Sequence, residues 1–426
     1  MEKNKIVIIL SILFLCIIIH SSYGQGSRYT GEYKKSATLQ YVNKKNFVIE
    51  GLEFTDVDSI NFKGRGITLW SCENVIIRNC KFKNIPWNTA IYTENSTNIT
   101  IIDCEFEDVY MAFKADNCKG RVKFENNDIK NLVKGLHTNN AGGGVQFLTC
   151  IGPDNSVSYN AFENLPEKTN TIDVIGMFNT NGTPNSPIII KGNWIRGGGP
   201  HGSSGGILLG DWGGSFQIAE DNILVDPGQY GIGIAGGHNM TLRNNKVYAK
   251  QQPFTNVGLV VANWTQQQQG ASYNIVVENN AINWTDKNGS YGTAWFSENM
   301  RVVVPDWRNS MVRDPNILST ILPTEILGRV RGLSKINNDN EIPSDETVLS
   351  PDINIYKDKF GRICTNCKGT ISLSASISVS QENGQKILNI PVMGYHTAID
   401  DKLPSGTYNV KVKNGDKLQL KQIIVE

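Results

Sequence analysis

Residues 74–82 read NVIIRNCKF, and residues 98–106 read NITIIDCEF. Both carry an opening Asn, an alternating apolar run, a polar pair, a Cys and a closing Phe. The pattern recurs as FVIEGLEF (47–54), VKFENNDI (122–129), NSVSYNAF (155–162), IIIKGNWI (188–195), QIAEDNIL (217–224), MTLRNNKV (240–247) and IVVENNAI (275–282). One position runs through all of them: Leu52, Cys80, Cys104, Asn127, Asn160, Asn193, Asn222, Asn245 and Asn280. The intervals are 28, 24, 23, 33, 33, 29, 23 and 35 residues. A period in this range marks stacked supersecondary units. Inside each unit the apolar residues alternate with period two, as in strands. Each unit is therefore expected to be a coil of short strands.

The recurrent Asn has a physical reason. Stacked coils lie about 4.8 Å apart, and at a sharp corner the backbone groups leave the ladder and need partners. An inward Asn offers both a donor and an acceptor, to the Asn of the next coil and to nearby backbone. Cys80 and Cys104 occupy the same corner as small buried fillers. A second strand precedes the motif in each coil, as in GITLW (66–70), AIYT (90–93), MAFKA (111–115), GLHT (135–138), VIGMF (174–178), GILLG (206–210) and TAWF (293–296). On these residues, over roughly 35–300, the chain resembles the right-handed parallel β-helix of the pectate-lyase-like superfamily. The fold class is all-β: a parallel β-helix solenoid with its cap over 30–335, then a small C-terminal β-sandwich over 350–426.

Composition narrows the function. With 41 basic and 40 acidic residues and no basic run, nothing favours a nucleic-acid partner. MEKNK followed by IVIILSILFLCIII (6–19) reads as an export signal over residues 1–24. The apolar run is short for a bilayer span. The expectation is a secreted or cell-surface protein with no stable membrane insertion once the signal is removed. Seven cysteines follow the signal, an odd number, so at least one has no partner within the chain.

After residue 300 the repeat breaks. NILSTILPTEILGRVRGL (316–333) has loose helical spacing and is expected to cap the last coil, since open strand edges need covering. Residues 336–349 read as a polar linker. Beyond it, 369–381, 386–395, 406–413 and 417–426 alternate like antiparallel strands. The last segment resembles the C-terminal sorting domains of the type IX secretion route, which implies secretion machinery as a partner; an adhesive or carbohydrate-binding module is the alternative. Cys364 and Cys367 form a C-x-x-C lacking the second pair that a zinc site needs. A small disulfide in a turn is the expectation.

The superfamily resemblance implies a ligand on the outer face of one strand stack, and a polysaccharide as that ligand. On the GITLW–AIYT–MAFKA stack, Trp70, Lys114, His137 and Met177 are expected to point outward. The densest loop is RGGGPHGSSGGILLGDWGGSF (196–216), whose nine glycines let backbone approach a ligand. It holds His201, Asp211 and Trp212. Asp173 lies one coil earlier, and Asp226 and His238 one coil later. Lys114, His137, Asp173, His201 and Asp211 are the catalytic candidates. Trp70, Trp212 and His238 are the substrate-binding candidates. The carboxylates would act as general acid and base or help hold a cation such as calcium; the metal is unassigned. Lys114, His137 and Asp211 suit β-elimination of an acidic polysaccharide, and Asp173 with Asp211 suits hydrolysis. A non-enzymatic surface β-helix and an epimerase are the alternatives. The W-x-D-H, G-H-G and D-P-H-D signatures of related enzymes are missing from the sequence.

Overall fold

The computed structural model describes residues 31–55, 57, 64–136 and 142–328, and further on 353–357, 363–367, 376–381, 386–391, 396–398, 403–414 and 417–425. The expected signal, the linker and His137 lie outside the described residues. The chain divides into two compact units, residues 1–331 and 332–426.

In the first unit, 26 strands form one continuous, parallel-paired stack. Each coil has three strands, one more than the sequence motif separates. Sheet A contains Leu39–Val42, Ile67–Trp70, Gly143–Leu148, Asp173–Asn181, Tyr230–Ile234, Val257–Val261 and Ala294–Phe296, together with parts of three longer strands. Sheet B begins with Lys45–Glu50 and Glu73–Arg78 and ends with Ile275–Glu278. Sheet C runs from Lys34–Lys35 and Leu52–Thr55 to Ala281–Trp284. The repeated motif spans a sheet B strand, a corner and the start of a sheet C strand.

That corner uses two residues. The first adopts positive φ, as in Asn79, Asp103, Asn126, Tyr159, Asp221, Asn244 and Asn279. Asn and Asp tolerate this conformation best among side-chain-bearing residues. The second points inward and forms the ladder. From Asn127 to Asn245, each ladder Asn accepts on Oδ1 from the preceding coil and donates from Nδ2 to the next; Asn280, the last, donates to Leu242 O. Asn193 accepts from the backbone N–H and the amide of Asn160, both at 3.0 Å. It donates to Val157 O at 2.8 Å and Asn222 Oδ1 at 2.9 Å. The same arrangement runs from Asn127 to Asn280. Cys80 and Cys104 continue the corner as buried free thiols.

A second internal ladder occupies the corner between sheets A and B, and the repeat motif does not reveal it. Cys72, Cys118, Cys150 and Thr180 each donate to a carbonyl one coil back. The core between the corners is apolar, with Phe54, Phe82 and Phe106 stacked at 4.9 Å centroid spacing.

Three expectations change. The sheet A strand of the fifth coil is Gly143–Leu148, where Val145 and Phe147 register with Phe113 and Ala115. GLHT does not supply that strand: residues 133–136 lie outside any strand. Met177 points inward and is fully buried, because it shares register with Phe147. Among the described residues of the expected cap, 316–328, there is no helix longer than one 3₁₀ turn. Residues 297–311 close the last coil, with Met300 and Val304 in the core. Residues 312–328 then run back along sheet C as an extended strap interrupted by one short 3₁₀ turn, Ser319–Ile321. The strap is held by Asn283 Nδ2 on Ile317 O, by Arg196 on the Pro323 and Thr324 carbonyls, and by Gly328 N–H on Asp128.

The second unit has a three-stranded and a four-stranded antiparallel sheet sharing a core of Ile353, Ile355, Ile363, Ile377, Val379, Tyr408, Val410, Val412 and Ile423. This is a β-sandwich. Tyr408 ties its strand to the preceding turn by donating to Pro404 O at 2.7 Å. Cys364 and Cys367 lie in one strand, Ile363–Cys367, and not in a turn. Three strand steps separate α-carbons by about 10 Å, beyond the span of a disulfide.

Candidate active site on the outer face of sheet A

Coil stacking aligns residues in rows on the outer face of sheet A. One row is Tyr92, Lys114, Gln146, Gly176, Leu208, Gly233, Val260 and Trp295. Another is Asp173, Gly205, Tyr230 and Val257. The loops from sheet C to sheet A border one edge, and those from sheet A to sheet B border the other.

The second row holds the strongest chemistry. A Cβ on Gly205 would fall 2.0 Å from the Tyr230 ring carbon Cζ. The ring therefore lies across Gly205, and only glycine admits it. Across that gap the Tyr230 hydroxyl donates to Asp173 Oδ1. Burial raises the Asp173 carboxyl to about 7; the Tyr230 hydrogen bond opposes the rise and the Asp211 charge adds to it. Burial also raises the Asp211 carboxyl, against the pull of the Trp212 backbone N–H. Tyr230 is pushed well above the usual phenol range by burial and by Asp173, so it remains a proton donor. Two carboxyls and a phenol thus share one electrostatic site, with different surroundings at each acid.

Beside Tyr230 lies a pocket of about 460 Å³. Val257 and Val260 form its floor, and Trp264 and Trp295 stand at its sides. These indoles are 59% and 44% exposed. Trp212, 46% exposed, stands next to Asp211 with its ring 6.2 Å from Phe178. Exposed indoles around a pocket present flat apolar faces to a ligand. No Lys, Arg or His lines this pocket.

The other candidates occupy different places. His201 sits in the 197–204 loop leading into Gly205. Its Nδ1 accepts from Ser203 N–H at 3.3 Å, and its Nε2 is buried with no hydrogen-bond partner among the described residues. Ser204 Oγ fastens the loop by donating to His201 O and accepting from Gln229 N–H. Lys114 is half-buried on the outer face, two coils before the Asp173 strand. Trp70 is further toward the N-terminus, donating to Glu94 Oε2 at 3.1 Å. His238 opens a sheet B strand and stacks on Tyr273 at 4.4 Å; burial lowers its imidazole pKa. It therefore belongs to sheet B and not to sheet A. Asp226 faces Lys250 N–H at 2.9 Å, an anchor for a turn.

The sequence reading missed Tyr230, Trp264 and Trp295. Trp295 was legible, because Ala294 and Phe296 alternate inward around it. Trp264 and Tyr230 gave no such signal, since one lies in a loop and the other acts through a neighbouring coil's glycine. Among the described residues no group of three or more His, Cys, Asp or Glu side chains is placed to hold a metal ion. No helix among them is long and apolar enough to cross a membrane.

A family model described as "Right handed beta helix region" matches residues 16–151. No curated protein matches the chain. Among solved structures, the chain is similar to the catalytic domain of a GH87 alpha-1,3-glucanase with an aspartate-to-alanine substitution, in complex with tetrasaccharides. Identity is 11%, coverage 63% of each chain, and the TM-score 0.32. A second such variant gives 11% identity, 60% of this chain, 49% of that chain and a TM-score of 0.34. A nigerose complex gives 10%, 61%, 63% and 0.27. The chain spans less than two thirds of the length of these structures. With every strand pair of the first unit parallel and the repeat-region match covering its N-terminal coils, this is a right-handed parallel β-helix protein.

Proposed function

We propose that the protein is a polysaccharide-active glycoside hydrolase with its active site at Asp173, Asp211 and Tyr230. The observation that carries this reading is the Asp173 carboxyl, raised to about 7 and held by Tyr230 beside an indole-walled pocket. A carboxyl of that acidity still holds its proton in about half the molecules at pH 7 and suits a general acid. It would give its proton to the glycosidic oxygen as the bond to the anomeric carbon breaks. Asp211, the second carboxylate, would activate water or attack the anomeric carbon. The separation of the two when substrate is bound selects inversion or retention. Trp264, Trp295 and Trp212 would stack on sugar rings. The pocket lacks a cationic side chain, which favours a neutral polymer in place of the acidic one expected from sequence. Lys114 lies two coils away, and this disfavours the elimination reading.

Export with the N-terminal signal, and sorting through the C-terminal β-sandwich, remain part of this proposal. The test is a panel of neutral and acidic polysaccharides, read for new reducing ends and for the ultraviolet absorbance of unsaturated products. Reducing ends from a neutral polymer without absorbance, abolished by Asp173→Asn, are expected. Absorbance from a uronate polymer, or full activity in Asp173→Asn, would overturn the assignment.

A further inference from the structure

The outer face of sheet A carries a second cluster that the hydrolytic site does not use. Trp70 Nε1–H and the Tyr92 hydroxyl both donate to Glu94 Oε2, at 3.1 and 2.9 Å. The same hydroxyl lies 3.4 Å from Asp116 Oδ2. The Arg65 guanidinium covers the Tyr92 ring at 3.9 Å. Its Nε is buried and has no hydrogen-bond partner among the described residues. Cation–π stacking of this kind holds the guanidinium in one plane.

The cluster is more ordered than a solvated strand face requires. Two donors converge on one Glu94 oxygen and Asn95 Nδ2 reaches the other at 3.5 Å, which fixes the carboxylate. Asp116 is its register neighbour on the following coil. Two fixed carboxylates beside a half-buried indole match a ring rich in hydroxyl groups: the oxygens accept from hydroxyls, and the indole face covers C–H groups. The cluster shares a surface with the hydrolytic site. From Tyr92 the row continues through Lys114 and Gln146 to Gly176, in the strand that begins at Asp173. Three coil steps make about 14 Å at the inter-strand spacing. Lys114 and Gln146 keep the intervening track polar and half-buried.

We propose that Trp70, Glu94 and Asp116, with Tyr92 and Arg65 as their positioning residues, form a distal sugar-binding station. It holds a neutral unit of the same polymer whose bond is cleaved at Asp173. The inference rests on the hydrolase reading for the identity of the ligand. It adds that the substrate is long, and that chain length beyond the cleavage site is recognised. Arg65 and Tyr92 act through Glu94 rather than on sugar.

The test uses the full chain and a size ladder from partial acid hydrolysis of whichever neutral glucan, xylan or mannan the wild type cleaves. Wild-type kcat/KM should climb with chain length until fragments reach the station. In Trp70→Ala and Glu94→Gln the climb should flatten, with about a tenfold loss on polymer, the scale of one lost charge-assisted contact. That loss should shrink as the fragments shorten. Melting temperatures identify any variant that fails to fold, and Glu94→Asp should restore part of the climb. Equal loss at every length, or no loss at any, would overturn the station and leave the hydrolase intact. Retardation of the wild type in polysaccharide gels, weakened by Trp70→Ala with no cleavage of any polymer, would keep the station and sink the hydrolase. No retardation in any gel and no cleavage would overturn both.

Discussion

Replacing Tyr230 by Phe removes one oxygen and nothing else from the site. The Tyr230 hydroxyl donates to Asp173 Oδ1 and so favours the charged carboxylate, while burial and Asp211 favour the neutral acid. Its loss must therefore raise the Asp173 pKa. A hydrogen bond to a charged group contributes about 1.5–3 kcal/mol, and one pKa unit is about 1.4 kcal/mol. The shift should be roughly one to two units, the smaller figure if water from the adjoining pocket replaces the hydroxyl. The assay is the pH dependence of kcat/KM on the cleaved polymer. A general acid acts only while protonated, so the alkaline limb should move from near 7 toward about 8 or 9. The maximal rate should fall because the carboxyl is less firmly held. An alkaline limb that stays in place, or moves to lower pH, would refute the claim that Tyr230 tunes Asp173.

Gly205→Ala should reproduce that shift with both partners left unsubstituted, because the new methyl would sit 2.0 Å from the Tyr230 ring and displace it; pH profiles of the two single variants and the double variant check it, and additive shifts would argue against a shared cause. Asp173 also links stability to pH. Between its ordinary value of 3.8 and about 7 the folded carboxyl stays protonated while the unfolded one does not, so stability should fall as pH rises through that window. Asp173→Asn should flatten the fall, making the variant the more stable protein at neutral pH and no more stable below pH 3.8, as read by thermal melts across the range. Asn193→Leu strips partners from Asn160 N–H and Val157 O inside the solenoid. Each stranded backbone group costs about 1–3 kcal/mol, so a loss of roughly 3 kcal/mol or more is expected in denaturant unfolding, and a neutral result would show that the ladder is not a source of stability.

How much of this was legible depends on where each signal lies. The ladder from Leu52 to Asn280 was legible because a corner geometry repeated in every coil imposes one residue type on one position. The strand alternation of Ile99, Ile101 and Phe106 was legible for the same reason. Sheet C was not separated from sheet B, because a two-residue corner is too short to interrupt a period-two pattern. The second internal ladder uses Cys and Thr, which look alike only once stacked. The fifth coil was misread at GLHT because loop length varies on the sheet C to sheet A side, so spacing alone does not place the next strand. Asp173 and Asp211 were named from their loop and strand positions. Their relation to Tyr230 depends on a ring lying across a glycine from another coil, a contact that no local pattern encodes.

The strap over residues 312–328 determines how the solenoid meets a pulling force. If tension enters from the C-terminal side, the first described anchor it meets is Gly328, whose backbone N–H is held by Asp128. Detachment would proceed one anchor at a time: the Ile326 packing, the Arg196 bonds to Thr324 and Pro323, then the Leu322 packing, then the Asn283 bond to Ile317. Peeling of this kind needs little force at any moment. The freed segment would supply about 3.3–3.6 Å of slack per residue before the last coil is loaded. The strap is thus a shock absorber in series with the β-helix, and it gives way while the Asp173 face keeps its shape.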